Sequence, residues 1–279
     1  MKEKAYAKVN LHLDIVGKRI DNYHNLEMVM APLKLHDVLT FDILDHDEIV
    51  ITSDQEITKN PEDNLVYKVV KHLKERFDIK KGVKVYIEKC IPIASGLAGG
   101  SADAAAALRA MNKLFKLDLS LDKLAEIGEG FGSDIPFCVH NKLCIARGKG
   151  EQLFFLKGKL NLPLLLITPK FAVSTKDVFS KVDVNKIKPV KITTMTNAIY
   201  NKNIDLVINS LYNALEPFAF EMYPEIKALK DKLIDIGYRG VLMSGSGPTV
   251  YALDKKIKSL KEISSKFEND YTLNLTKIQ

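Results

Sequence analysis

The residues able to do chemistry in this chain gather in a few short stretches. Residues 91–108, IPIASGLAGGSADAAAAL, set a loop almost free of side chains directly before an alanine-rich run, with Asp103 the single acid at the junction. The first turn of any helix carries unpaired backbone N–H groups and the positive end of the macrodipole. Glycines just ahead of that turn let an anion reach the donors without meeting a Cβ. Gly96, Gly99 and Gly100, with Ser95 and Ser101 beside them, therefore suit a phosphate cradle. The same glycines equally suit tight turning and close helix packing, with Ser101 or Asp103 as an ordinary cap. No lysine follows Gly100, and neither GxxxxGK[ST] nor GxGxxG fits residues 94–101.

Four other stretches carry reactive or binding groups. In AYAKVNLHLDI, period-2 alternation puts Ala5, Ala7, Val9, Leu11, Leu13 and Ile15 on one strand face and Lys8, Asn10 and His12 on the other, which taken alone is the pattern of a solvent-facing polar stripe. RIDNYHNL has a turn at Asp21-Asn22 and then Tyr23-His24, an aromatic and an imidazole able to stack on and hydrogen-bond a planar heterocycle, or a plain surface turn. GFGSDIPFC delivers Asp134 ahead of Pro136, where the restricted backbone fixes an acid's orientation or lets it cap a turn. RGVLMSGSGPTVYAL concentrates Ser244, Ser246, Thr249 and the bare amides of Gly245 and Gly247 at the tip of a strand–turn–strand unit, suited to an anion or to a simple hairpin.

The elements that must hold these groups follow from periodicity. VKVYIEK, with Val83, Val85 and Ile87 alternating with polar residues, predicts a half-buried strand leading into the glycine loop. Ala104, Leu108, Met111 and Phe115 predict one apolar face of a helix beginning near Ser101. The style changes near GKGEQLFFLKGKLNLP, after which come an apolar strand, LPLLLITP, and helical patterns in DLVINSLYNAL and YPEIKALKDKLIDIG. The expectation is an α+β chain of two domains, 1–157 and 158–279, with the boundary near residues 155–161.

Composition narrows the class. A chain of 279 residues with 46% hydrophobic content can bury a sizeable core. No apolar run approaches the roughly 20 residues of a membrane span, and MKEKAYAKVN has no apolar leader core, so no membrane partner is expected and cytoplasmic residence is the default. Three cysteines without a CxxC suggest neither a disulfide framework nor a zinc site. The net charge of +6 comes from dispersed lysines, which read as solvated surface and not as a nucleic-acid footprint.

Taken in order, AKVNLHL, IPIASGLAGGSADAAAAL, GSDIPF and MSGSGPTVYAL resemble the motifs of the kinases grouped with galactokinase, homoserine kinase, mevalonate kinase and phosphomevalonate kinase. Within that group, the GGSxDAA loop and the DNYH turn resemble the branch that phosphorylates a cytidylyl alcohol in isoprenoid precursor synthesis. The resemblance runs from about residue 4 to residue 253.

It implies a two-domain small-molecule kinase fold with a glycine-rich phosphate loop leading into a helix, and ATP with Mg2+ as cofactors. The ATP phosphates would lie along Pro92, Ala94, Ser95, Gly96, Leu97, Ala98, Gly99, Gly100 and Ser101. Lys8 and Asp134 match the family's paired catalytic lysine and aspartate. Asn10, Tyr23, His24, Phe179, Gly245 and Thr249 match substrate-binding positions, with Tyr23, His24 and Phe179 at the cytosine. No side chain is assigned to the metal, which is left to ATP oxygens, water and the Ser101 hydroxyl. The partner implied is a small-molecule cytidylyl substrate, with no nucleic acid, and the chain is expected to be a monomer or weak homodimer. Three positions depart from the family pattern: Ala98 for Gly, Ala102 for Ser and Asn22 for Gly. The readings set against this one are a sibling kinase acting on mevalonate or homoserine, and a non-catalytic nucleotide-binding regulator.

Overall fold

The computed structural model describes residues 1–21, 23–264, 266–267 and 270–279, without the side chains of residues 257, 258, 263 and 264; Asn22, one of the departures above, lies outside the described residues. The chain divides into two compact units, each discontinuous in sequence. Met1–Ala7, Leu35–Ile93 and Ala98–Asn141 form the first, and Lys8–Lys34, Ala94–Leu97 and Lys142–Gln279 form the second, so residues 155–161 fall inside the second. Two long strands, β1 (Lys2–Lys18) and β2 (His24–Leu44), contribute to both.

In the first unit, residues 38–44 of β2 pair antiparallel with β4 (Gly82–Glu88), and β3 (Ile49–Ser53) pairs parallel with β4. Val83, Val85 and Ile87 are buried while Lys84, Tyr86 and Glu88 face outward, as the alternation predicts. Helices α1 (Leu65–Arg76), α2 (Gly99–Leu114), α3 (Leu121–Glu129) and α4 (Ile135–His140) complete the unit. The Asn64 side chain caps α1 by accepting from Val66 N at 2.9 Å, which satisfies one of the donors a helix start leaves over.

Helix α2 starts at Gly99, two residues before the sequence reading put it, and it is apolar nearly all round. Ala102 to Leu108 are all buried, together with Ala110 and Met111. Alanine permits this because its small side chain lets neighbouring helices approach on several sides while keeping the highest helix propensity. A Cβ on Gly128 would strike the Ile135 side chain and come within 3.1 Å of Leu108, so α2, α3 and α4 meet closely at that point.

In the second unit, residues 26–30 of β2 pair with β5 (Cys144–Gly148), which pairs with β6 (Gln152–Phe155). A separate antiparallel sheet has the order β11 (Tyr271–Lys277), β7 (Pro163–Pro169), β10 (Val250–Leu253), β9 (Gly240–Met243). All seven β7 residues are buried, which accounts for the continuous apolar run LPLLLITP in place of alternation. Around these lie α5 (Thr175–Ser180), α6 (Ile192–Tyr200), α7 (Ile204–Asn209), α8 (Glu216–Met222), α9 (Pro224–Asp235) and α10 (Ile257–Ser264).

Two sequence expectations need correction here. DLVINSLYNAL is not one helix: α7 stops at Asn209, and Tyr212–Asn213 form the short strand β8, parallel to His12–Leu13 of β1. The strand is favoured because it lets the Asn213 amide donate to the carbonyls of Met243 at 2.9 Å and Gly245 at 2.8 Å, bonds a continuing helix would forgo. The polar face of β1 is not a solvent face either. Lys8 is 5% exposed, Asn10 0% and His12 1%, as deeply placed as the apolar face opposite. Burying such groups is costly unless they find partners, and most of them do.

Candidate active site

In the second unit, Lys8 and Asn10 stand two residues apart on one face of β1, and the Lys8 ammonium donates to Asn10 Oδ1 at 2.8 Å. The Asn10 amide donates to Met28 Sδ at 3.3 Å, and its backbone carbonyl accepts the buried Tyr251 hydroxyl at 2.9 Å. Asn10 is thereby fixed on three sides, and with it the lysine head. The Lys8 backbone N–H donates to Leu97 O at 3.2 Å, tying the strand to the glycine loop.

The loop itself meets the turn at 244–247. Gly96 has φ +74°, and a Cβ there would run into the Ser244 carbonyl oxygen and lie 2.8 Å from that of Gly247. Ser244 returns the contact, its hydroxyl donating to Gly96 O at 3.0 Å. Gly245, at φ +57°, places the position of a missing Cβ 3.8 Å from the Lys8 ammonium. Lys8, Gly96 and Gly245 are thus brought together. Thr249 is fully buried with its hydroxyl 2.8 Å from that of Thr168, so it supports the turn from beneath.

The aromatic stretch is also assembled in this unit. The His24 ring lies 5.6 Å from that of Phe179 at an interplanar angle of 31°, which is direct contact and leaves no room for a base between the two. Tyr23 is 59% exposed, with the Lys149 ammonium 5.7 Å from its ring centroid. The arrangement can place a heterocycle against the outer ring faces, with the imidazole at its edge. His24 Nε2 is buried without a hydrogen-bond partner, and burial together with Lys18 holds the imidazole below its ordinary pKa, neutral at pH 7. His12 is similar: burial lowers it against the opposing pull of Asp14 and Glu27, and its Nε2 has no partner.

Most of the rest of the candidate set lies in the first unit. Ala98 precedes α2 in the left-handed conformation, φ 59° and ψ 31°, and the helix start has no side-chain cap. The amides of the first turn are therefore not consumed by a capping side chain, as an anion cradle requires. Ala94 is left-handed too, at φ 51°, in the second unit's part of the loop. The Ser101 hydroxyl is 3.8 Å from where a Cβ on Gly132 would sit, so the first turn of α2 adjoins the turn that delivers Asp134. Asp134 is half-buried at the N-cap position of α4 and makes no capping hydrogen bond, so its carboxylate does not serve the turn-capping role the sequence left open. Gly99 holds a surprise: a Cβ there would face inward, 3.2 Å from Ile91 and 3.5 Å from the Lys89 ammonium. Its lack of a side chain serves helix packing, whereas at Gly100 the nearest atom, on Leu65, is 3.8 Å away.

Sequence reasoning missed three polar residues. Asn213 was hidden inside an apparently amphipathic helix. Asp37, within β2, and Lys89, just past β4, were not singled out, yet with Asp103 they form a buried cluster. Lys89 donates to Asp37 Oδ2 and, at 2.8 Å, to Asp103 Oδ2. Burial, reinforced by Asp37 and resisted by Lys89, pushes Asp103 up to about 7. The one available signal was the isolated acid in an alanine helix.

Among the described residues no group of three His, Cys, Asp or Glu side chains could hold a metal ion, and no helix is long and apolar enough to cross a membrane.

Residues 64–142 match the GHMP kinases N-terminal domain and residues 195–272 the GHMP kinases C-terminal domain. The chain belongs to the GHMP kinases, a family of ATP-dependent small-molecule kinases. It is 46% identical over 251 residues to the 4-diphosphocytidyl-2-C-methyl-D-erythritol kinase of Bacillus pumilus, covering 90% of this chain and 87% of that one. The enzyme of the same name from Exiguobacterium sibiricum is 46% identical over 250 residues, with the same coverage. Among solved structures, a 4-(cytidine 5'-diphospho)-2C-methyl-D-erythritol kinase superposes with a TM-score of 0.86 at 28% identity, covering 100% of this chain and 99% of that one. The homoserine kinase of Cytophaga hutchinsonii, with a TM-score of 0.75 at 18% identity over 100% and 94% of the two chains, shares the fold.

Proposed function

We propose that this protein transfers the γ-phosphoryl group of ATP to the C2 hydroxyl of 4-diphosphocytidyl-2-C-methyl-D-erythritol, in the non-mevalonate route to isoprenoid precursors. The observation that carries the reading is the contact of His24 with Phe179 beside exposed Tyr23, a set of rings with one unpartnered imidazole nitrogen that suits a cytosine face and edge. It is supported by the 46% identity over 90% of the chain to kinases named for that substrate. A mevalonate or homoserine kinase is not favoured, since neither substrate has a base to occupy the rings.

In the proposed reaction the C2 oxygen attacks the γ-phosphorus as the bond to the β,γ-bridging oxygen breaks, releasing ADP. Asp134, at the N-cap position of α4, takes the hydroxyl proton. Lys8 places a positive charge by the same hydroxyl, lowering its pKa and neutralising charge on the transferred group. Asn10, clamped between the Lys8 ammonium and Met28, holds the lysine head in position. Backbone amides from Gly96 to Ser101 take the phosphates. Mg2+ would be held by ATP oxygens with Ser101 as the protein's hydroxyl, and it would screen phosphate charge.

Incubating the protein with ATP and the cytidylyl alcohol, and following the products by phosphorus NMR, tests this. One ADP and one new phosphate monoester on C2 should form per turnover. ADP released without a new monoester would contradict it.

A further inference from the structure

The glycine loop has no lysine after Gly100, the place where a GxxxxGK[ST] loop would put one. The first unit instead places an ammonium behind the first turn of α2. Lys89, just past the end of β4, has a side chain only 3% exposed, and its nitrogen lies 3.5 Å from where a Cβ on Gly99 would be, directly behind the first turn of α2. Two carboxylates hold it there. Asp37 is 0% exposed and Asp103 3%, and both accept from Lys89. The other oxygen of Asp37 accepts from the backbone N–H groups of Cys90 at 2.6 Å and Ile91 at 2.7 Å, the two residues that lead into the loop.

We infer that Lys89 is a positioning residue for the nucleotide phosphates, a buried ammonium that fixes the first turn of α2 against the approach to the loop and adds positive potential behind the amides that receive the anion. Three features carry this. The cluster links the two backbone segments that flank the loop, residues 90–91 through Asp37 and α2 through Asp103. Two carboxylates serve one ammonium, and with Asp103 raised to about 7 the cluster near neutral pH carries only the partial negative charge of ionised Asp103, which works against an anion bound nearby. Asp103 Oδ1 is buried with no hydrogen-bond partner, a sign that the second acid is not there for stability alone, because an unpartnered buried carboxylate oxygen is costly. Lys89 stays charged: burial pulls its pKa down, but Asp103 and Asp37 together hold it above the ordinary lysine value.

Charge at this depth is weakly screened, so changes to the cluster should alter phosphate binding selectively. The inference rests on ATP being the phosphate donor, and the test separates the two. Calorimetric binding of ATP, adenosine and the cytidylyl alcohol would be measured for the wild type, Lys89→Met and Asp103→Asn. Lys89→Met should weaken ATP on the order of 10-fold while adenosine and the cytidylyl alcohol change less than about 2-fold. Asp103→Asn keeps the ammonium paired with Asp37 and removes the partial negative charge that Asp103 carries near neutral pH. It should tighten ATP by about 3-fold or more, and it carries the test if Lys89→Met does not fold. A cluster that merely holds the fold predicts the opposite sign. Asp103→Asn that leaves ATP binding unchanged or weaker, or Lys89→Met that weakens all three ligands alike, would overturn the inference. A wild type that binds adenosine and the cytidylyl alcohol but not ATP would instead overturn the function proposed above.

Discussion

Ser244 and Gly96 lock two glycine turns together: the serine hydroxyl donates to the glycine carbonyl at 3.0 Å, and the serine carbonyl occupies the space a Gly96 side chain would need. The contact leaves no tolerance at position 96. Gly96→Ala would have to hold φ near +74° and displace backbone oxygens on two residues. The expected outcome is a loss of about 2 kcal/mol or more of stability, since a left-handed alanine alone costs about 1–2 kcal/mol. Activity should fall with it. Chemical denaturation checks the first and steady-state kinetics the second.

Ala98 makes the converse case. It sits at φ 59° with no cap, where the family pattern has Gly. Ala98→Gly should relieve left-handed strain at the cost of a more flexible unfolded chain, leaving a gain of up to about 1 kcal/mol. Thermal unfolding would show it, and a lower Tm would mean that the alanine methyl contributes packing that outweighs the strain.

The proton-transfer pair is tested by kinetics. Asp134→Asn should lower kcat by about 100-fold to 10,000-fold with ATP affinity nearly unchanged, the range general-base catalysis supplies. Lys8→Met, which keeps the stem and drops the charge, should behave similarly. More than half the wild-type activity in Asp134→Asn would remove that residue from the mechanism.

Much of this was legible in the sequence, and the gaps have physical causes. The alternation in residues 83–88 specified β4 because a half-buried strand has a period that periodicity can detect. The glycine loop was legible as strand, turn and helix, but not the direction in which Gly99 lacks a side chain, because that depends on Ile91 and Lys89 behind it. The polar face of β1 reads as solvated from alternation alone. It is buried because Lys8, Asn10 and Asp14 find partners in the Asn10 side-chain oxygen, in Met28 and in the backbone N–H groups of residues 15 and 190, none of which a one-dimensional pattern shows. In DLVINSLYNAL the apolar spacing favours helix, and tertiary hydrogen bonds from Asn213 override it.

His12 and His24 give the fold a dependence on acid. Burial lowers both, with Lys18 adding to the shift at His24 while Asp14 and Glu27 oppose it at His12. As pH falls through the ordinary histidine value of about 6.5, the unfolded chain takes up protons that the folded chain refuses. Stability is therefore full above that pH, declines as pH drops toward the lowered folded values, and levels below them. Tm measured from pH 8 to pH 5 should follow this course. The slope between pH 6.5 and pH 5.5 should be shallower in a His12→Gln, His24→Gln double variant, and an unchanged slope would assign it to other groups.

The central claim is that the ring cluster reads a cytosine, and substrate discrimination tests it most directly. Turnover with ATP would be compared for the cytidylyl alcohol, its uridylyl analogue and mevalonate, in the wild type and in His24→Ala. Replacing the exocyclic amine by a carbonyl turns a donor into an acceptor, so the wild type should favour the cytidylyl compound over the uridylyl one by about 10-fold or more in kcat/KM, and should barely turn over mevalonate. His24→Ala should raise the KM for the cytidylyl alcohol by roughly 5-fold to 150-fold, leave the KM for ATP nearly unchanged, and shrink the preference over uridylyl. Equal kcat/KM for mevalonate and the cytidylyl alcohol in the wild type would contradict the account.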